Sequence, residues 1–139
     1  MKFNTKAIHG GQEPDKAYGA VMTPIYQTST YAQSTPGGHK GYEYSRSANP
    51  TRTALENALA SLENGNHGLA FASGLAALDA VIKLLEPGDE VISSNDLYGG
   101  SYRLFTKVFA KFGIVFHFVD MQNANGITDH INELTKLIW

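Results

Sequence analysis

The run Phe71-Ala72-Ser73-Gly74-Leu75-Ala76-Ala77 carries the strongest local signal for chemistry. Its pattern predicts a strand that ends, a Ser-Gly turn, and a helix that begins. The first N–H groups of a helix lack partners and point outward, and the helix dipole adds partial positive charge there. Such a turn suits an anion, phosphate above all. Gly74 lets a ligand come close to the backbone, and Ser73 can add a hydroxyl donor. An ordinary helix capped by Ser73 uses the same residues, so this turn alone leaves both readings open. It matches no Walker loop, no G-x-G-x-x-G dinucleotide turn and no G-x-S-x-G hydrolase elbow. Ser73 is therefore an unattractive acyl-transfer nucleophile.

Two further groups of residues bear on the same chemistry. Tyr42-Glu43-Tyr44-Ser45-Arg46-Ser47-Ala48-Asn49-Pro50-Thr51-Arg52 places two tyrosines and two arginines just ahead of a helix start. Arg46 can bind phosphate or carboxylate through two parallel hydrogen bonds, and Tyr44 can donate its hydroxyl to the same oxygens. A solvated surface arginine is the plainer alternative. Ser94-Asn95-Asp96-Leu97-Tyr98-Gly99-Gly100 follows a predicted strand. Ligands of open parallel sheets sit beyond the carboxyl ends of strands. Ser73 and Tyr98 should thus share one face, where an aromatic ring can stack on a planar ligand. Packing under a loop would also account for Tyr98. The histidines at 9, 39, 67, 117 and 130 have no metal-ligand spacing, so no metal site is expected. His117 reads as a core or sheet-face histidine.

The elements that position these groups begin near residue 50. Residues 1–50 are rich in Gly, Pro, Ser, Thr and Tyr and hold no sustained period, which predicts an extended arm. Tyr18, Tyr26, Tyr31, Tyr42 and Tyr44 are too much aromatic surface for a disordered tail, and should pack on something. Residues 51–139 alternate. A helix starts at Asn49-Pro50, carries Leu55, Leu59 and Leu62 on one side, and ends at Gly65. A short buried strand is expected over 67–72, a helix over 75–85 and a strand over 90–93. A helix over about 101–111 with Leu104, Val108 and Phe112 inward follows. A strand over 114–119, a weaker helix over about 128–134 and a strand from Lys136 complete the chain. Strands alternating with helices predict βαβ units, a parallel sheet and an α/β fold.

Composition narrows the classes. Hydrophobic residues make up 42% and charged residues 17%, values of a folded domain. Eleven basic against 13 acidic residues give a net charge of -2, which advertises neither nucleic acid nor an anionic membrane as partner. There is no cysteine, hence no disulfide, thiolate metal site or thiol nucleophile in these residues. No signal sequence or membrane span is legible, and a cytoplasmic protein is the expectation. The chain stops at Leu137-Ile138-Trp139, inside an apparent buried strand, which reads as a piece of something longer.

Taken together, Tyr44-Ser45-Arg46-x-x-Asn49-Pro50-Thr51, Ala72-Ser73-Gly74-Leu75-Ala76-Ala77 and Gly88-Asp89 with Leu97-Tyr98-Gly99-Gly100 resemble the pyridoxal-phosphate enzymes of cysteine and methionine metabolism. Thr23-Pro24-Ile25-Tyr26-Gln27-Thr28-Ser29-Thr30 is similar to that family's N-terminal arm. The resemblance covers essentially the whole chain. It implies the first part of a three-layer α/β/α domain of the aspartate aminotransferase-like type, fold type I, behind an arm over 1–50 that makes oligomer contacts. The implied cofactor is pyridoxal 5'-phosphate. Gly74 and Leu75 would offer N–H groups to its phosphate, with Ser73 at the same turn, and Tyr98 would stack on its ring and assist the chemistry. Tyr44 and Arg46 would reach the phosphate of a neighbouring subunit in a homotetramer with shared active sites. The substrate would be a small sulfur amino acid or an activated homoserine, undergoing γ-elimination or γ-replacement as in cystathionine γ-synthase and γ-lyase. Methionine γ-lyase and O-acetylhomoserine sulfhydrylase are the alternatives within the family, but Gly100 stands where methionine γ-lyases tend to carry cysteine. The family's cofactor-binding lysine lies beyond these residues; Lys83, Lys107, Lys111 and Lys136 lack its context, so these residues alone should not turn over substrate. Outside the family, a non-catalytic phosphate-binding module needs only the Ser73 turn, and an assembly fragment needs only the arm.

Overall fold

A computed structural model describes residues 1–139, which form two compact units, Met1–Ala70 and Phe71–Trp139.

The first unit is built on two helices, α1 (Phe3–His9) and α2 (Pro50–Leu62). Helix α1 lies in the region expected to be extended throughout. It runs into Gly10-Gly11, and Gly11 sits at φ 69° with its Cα against the Asn57 backbone, where a Cβ would come within 2.3 Å of the Asn57 carbonyl oxygen. Only glycine meets both demands. Helix α2 starts where Asn49-Pro50 predicts: the Asn49 side chain accepts the Thr51 N–H at 2.9 Å, and Pro50 occupies the first turn. The same start ties down the arm. Thr51 Oγ1 donates to the Pro24 carbonyl and accepts from the Tyr26 N–H, and Asn49 Nδ2 donates to the Tyr26 carbonyl and Ser45 Oγ. Thr30 and Tyr44 form an antiparallel bridge, flanked by Tyr31 N–H to Glu43 and Ser45 N–H to Ser29. Tyr26, Tyr31, Tyr42 and Tyr44 are partly buried, whereas Tyr18 is 96% exposed and packs on nothing. Leu55 and Leu59, expected inward, are exposed; Ala60 is the buried residue of α2.

In the second unit three strands, β1 (Glu90–Ser94), β2 (Val115–Val119) and β3 (Thr135–Ile138), form a wholly parallel sheet in the order β2-β1-β3. Ile92 pairs with His117 on one side and Ile138 on the other. The apolar pair at the centre of β1 serves both faces of the sheet. Val91 and Ile92 point to opposite faces, and both are fully buried. Helix α3 (Gly74–Ile82) precedes β1, and α4 (Gly99–Lys107) with a 3₁₀ turn (Phe109–Phe112) crosses from β1 to β2. A short α5 (Ala124–Thr128), capped by Asn123, leads to β3. The core joins Leu78 and Ile82 of α3, Val91, Phe105 of α4, Phe109 and Ile114; Phe105 stacks on Phe116 at 4.5 Å. No helix is long and apolar enough to cross a membrane.

Four expectations for the later part of the chain also need correction. Residues 67–72 form no strand: Leu69 is 78% exposed, because a strand requires a ladder and no segment of this chain pairs with it. The inward face of α4 is Ser101, Phe105 and Phe109, one position off the stripe Leu104, Val108 and Phe112, of which Val108 and Phe112 are exposed. The regular helix also stops at Lys107 and tightens into 3₁₀. Helix α5 lies four residues earlier than the pattern over 128–134 predicts, set by the Asn123 side chain accepting the Asn125 N–H at 3.1 Å.

Candidate functional site

Ser73 is extended, at φ -159° and ψ 160°, and its Oγ accepts the Ala76 N–H at 3.1 Å. It therefore caps α3. Capping uses the oxygen and leaves the hydroxyl proton free to donate, so the two readings of this serine coexist. The Ser73 carbonyl accepts the Ala77 N–H at 3.1 Å. The N–H groups of Gly74 and Leu75 precede the first helical hydrogen bond and point out of the helix end. A Cβ placed on Gly74 would meet nothing within 4 Å. Nothing crowds the backbone at Gly74, so an anion has room to approach this helix end.

Tyr98 reaches the same place from β1. The sheet ladder extends one residue past the strand through the Asn95 N–H and the Val119 carbonyl, 2.9 Å. The chain then turns, with the Asp96 N–H on Ser94 Oγ at 3.1 Å. The Tyr98 carbonyl starts α4 by accepting from Ser101 and Tyr102. Tyr98 is 72% exposed. The ring, Ser73, Gly74, Leu75, Ser101 and Trp139 line a cavity of about 360 Å³ floored by Leu78. No acidic side chain lines it, and two helices begin at its wall. That is a positive end without a repelling charge.

Tyr44 and Arg46 belong to the first unit. The Arg46 guanidinium carbon stands 4.8 Å from the Tyr44 ring centroid, a cation–π contact. Arg46 is exposed and has no carboxylate partner. Arg52 differs. It donates to the carbonyls of Ser45 and Ser47 and pairs with Glu56, so it fastens the turn that presents Arg46. A hollow of this unit, about 720 Å³, is lined by Glu13 and Asp15 together with Lys16. There Asp15 raises the Tyr26 hydroxyl above its usual pKa, through its charge and the shared 3.3 Å hydrogen bond.

The structure therefore assembles Ser73, Gly74, Leu75 and Tyr98 around one cavity, and Tyr44 with Arg46 on one turn. Trp139 and Ser101 were not anticipated as part of the site. Trp139 follows β3 directly, at the same carboxyl edge that places Tyr98, and its N–H bonds the Ile92 carbonyl at 2.8 Å. His117 lies on the sheet, 2.7 Å from Glu90, whose carboxyl is held below its usual pKa by hydrogen bonds from Asn132 first and His117 second.

The family described as Cys/Met metabolism PLP-dependent enzyme matches residues 4–139. The chain belongs to this family. It is 54% identical over 138 residues to a cystathionine beta-lyase of Coxiella burnetii, and 53% identical over 137 residues to a probable cystathionine gamma-synthase of Herpetosiphon aurantiacus. Each match spans 99% of this chain, but 36% and 43% of those relatives, so the chain spans well under half their length. The crystal structure of metB from Corynebacterium glutamicum superposes over the whole chain with a TM-score of 0.95 and 45% identity, covering 37% of that chain. Cystathionine gamma-lyase from Lactobacillus plantarum complexed with L-serine superposes at 0.92, with 46% identity, over 99% of this chain and 36% of that one. The fold is that of fold type I pyridoxal-phosphate enzymes, of which the present chain holds a part. The cofactor of the family fits the cavity on this chain's own evidence: two free N–H groups and a free hydroxyl proton at a helix end, open space above Gly74, and an exposed aromatic ring beside them.

Proposed function

We propose that these residues supply the phosphate cradle and the ring-stacking wall of an enzyme that makes or breaks the Cγ–S bond of cystathionine-type amino acids, by γ-elimination or γ-replacement. The observation that carries it is the convergence of the α3 start and the Tyr98 ring on one cavity lined by no acid. The Gly74 and Leu75 N–H groups and the Ser73 hydroxyl hold the phosphate. Tyr98 packs on one face of the pyridine ring and fixes its plane, which sets the direction in which a substrate bond is weakened. The Tyr98 hydroxyl, which has no partner of its own, is placed to hold or pass a proton at Oη. Bound pyridoxal phosphate supplies an electron sink for carbanion chemistry on an amino acid. Tyr44 and Arg46 reach the phosphate of a neighbouring copy, and residues 1–50 make oligomer contacts in a cytoplasmic homotetramer. The sidewise carbon–sulfur reaction on Cβ is the second reading, favoured by the 54% identity to a cystathionine beta-lyase. Products separate them: Cγ cleavage of cystathionine releases cysteine, Cβ cleavage homocysteine. The present residues alone are expected to be inactive, with no visible absorption band of a lysine-bound cofactor.

The test is a titration of the chain with pyridoxal 5'-phosphate and, separately, pyridoxal, read by the fluorescence of Trp139, its single tryptophan. The phosphate ester should bind markedly tighter, and Gly74→Val, which fills the space over the two N–H groups, should abolish that preference. Equal binding of the two compounds overturns the cradle. Equal competition by inorganic phosphate and pyridoxal phosphate would instead support a simple phosphate-binding module.

A further inference from the structure

Arg52 stands where α2 has no use for a cation. It is the third residue of the helix, after Pro50 and Thr51. The positive end of the dipole disfavours an arginine there, and a capped helix start favours Glu or Gln at that position. Its ion pair with Glu56, 3.6 Å at i, i+4, runs in the weaker order, with the cation first. The use of Arg52 lies outside the helix. Its Nη2 donates to the Ser47 carbonyl at 2.6 Å and its Nη1 to the Ser45 carbonyl at 3.3 Å, with the Arg46 carbonyl at 3.5 Å. One planar fork thus meets three successive carbonyls. The Tyr44 carbonyl closes the same turn by accepting from Ser47 and Ala48. The Arg46 backbone is held on both sides, while its side chain stands exposed over the Tyr44 ring.

A fork keeps its aim only if its stem is held as well, and Glu56 holds it. Glu56 Oε1 faces Arg52 Nε and also accepts the Ala70 N–H at 3.0 Å. The segment that carries Ala70 lies directly on this turn of α2: a Cβ on Gly68 would come within 2.3 Å of the Glu56 carbonyl oxygen. The carboxylate is therefore largely shielded from solvent and has one direction left to it. We infer that Glu56 is a positioning residue for Arg46. Anchored on the Ala70 N–H, it aims the Arg52 fork at the carbonyls of residues 45–47, and so sets where the Arg46 guanidinium stands. The inference rests on the reading of Arg46 as the cation for a neighbouring copy's phosphate.

The experiment compares Glu56→Gln, Arg52→Lys and Arg46→Gln, with Tyr44→Leu as reference. Glutamine keeps an oxygen for the Ala70 N–H, so the helix contact survives and the charge facing Arg52 is lost. In the ligand-free chain the Arg46 Nε–H resonance carries the ring-current shift of Tyr44. Glu56→Gln and Arg52→Lys should both move it toward its Tyr44→Leu position. Both should leave in place the Tyr26 amide, which is bonded to Thr51 Oγ1. With pyridoxal 5'-phosphate, read by Trp139 fluorescence, Arg46→Gln should weaken binding about tenfold and Glu56→Gln about threefold, the whole and a part of one charge-assisted pair. Glu56→Gln added to Arg46→Gln should cost nothing more. An unmoved Arg46 resonance in Glu56→Gln overturns the inference. So does a Tyr26 amide that moves as far, since the carboxylate would then support the whole arm. A further loss of affinity on adding Glu56→Gln to Arg46→Gln also overturns it, as does a Glu56→Gln chain that binds like the parent when Arg46→Gln does not. If Arg46→Gln itself binds like the parent, it is the shared-phosphate reading that fails, and the resonances alone judge Glu56.

Discussion

Ser73 caps α3 and, in the proposed site, also donates to the phosphate; aspartate separates the two roles. As a cap, its oxygen accepts the Ala76 N–H at 3.1 Å. As a ligand donor, its proton is free. Ser73→Ala loses both, and the cap alone is worth about 1 kcal/mol. In a domain of this size that lowers the melting temperature by roughly 4–8 °C. Ser73→Asp keeps the cap, since a carboxylate accepts the same N–H, and gains about 0.3–1 kcal/mol from the helix dipole. Yet it places a negative charge beside the anion niche. Two unit charges about 5 Å apart repel by about 0.8 kcal/mol in water and about 3 kcal/mol at an effective dielectric of 20. A phosphate carrying nearly two charges doubles this, so at least about 1.6 kcal/mol, or roughly 15-fold in affinity, should vanish. The assay pairs thermal melting with a pyridoxal 5'-phosphate titration on both variants. Stability should fall in Ser73→Ala and hold in Ser73→Asp, while affinity falls in both and further in Ser73→Asp. A Ser73→Asp chain that binds the cofactor like the parent refutes the anion niche. One that melts as low as Ser73→Ala refutes the cap.

Two further outcomes follow from the second unit. Phe105 is fully buried and stacks on Phe116, so Phe105→Ala should cost about 3–5 kcal/mol, read as a shift of the urea midpoint; a cost below about 1 kcal/mol would mean that α4 does not carry the core. Asn132→Ala removes the leading hydrogen bond that depresses the Glu90 pKa. A depressed carboxyl stabilises the fold above its ordinary titration range, and this is lost as pH falls through its folded value. The variant should therefore be less stable at neutral pH, and its deficit should shrink on acidification toward a constant offset, because Asn132 Oδ1 also accepts the Leu134 N–H. A deficit independent of pH between neutral and strongly acid solution would show that Glu90 draws nothing from this contact.

What the sequence makes legible is what short-range chemistry decides. Asn49-Pro50 and Ser73-Gly74 announce their helices because cap, proline and glycine act within three residues, and both helices start there. The apolar pair Val91-Ile92 marks β1 because both of its faces are covered. The misses are decisions taken at a distance. Residues 67–72 have a strand's composition and no partner. Helix α4 offers two hydrophobic stripes one residue apart, and only the docking of Phe105 onto Phe116 chooses between them. Trp139 joins the cavity because β3 lies next to β1, a neighbour relation set by the sheet order β2-β1-β3 and not by proximity in the chain.

The site's electrical balance argues for the shared arrangement proposed above. The proposed cradle is made of backbone: partial charges at two helix starts, each equivalent to about half a unit. No lysine or arginine lines the cavity. A phosphate of nearly two negative charges is only partly neutralised by such dipoles, so a tight site needs a full cation from elsewhere. Arg52 is committed to Ser45, Ser47 and Glu56. Arg46 is committed to nothing but the face of Tyr44, a contact that leaves every N–H of its fork able to meet an anion. An arginine fastened by its neighbour yet left without a carboxylate has the form of a group held in readiness for a ligand, and the ligand of matching sign is the one that the Ser73 turn leaves half neutralised.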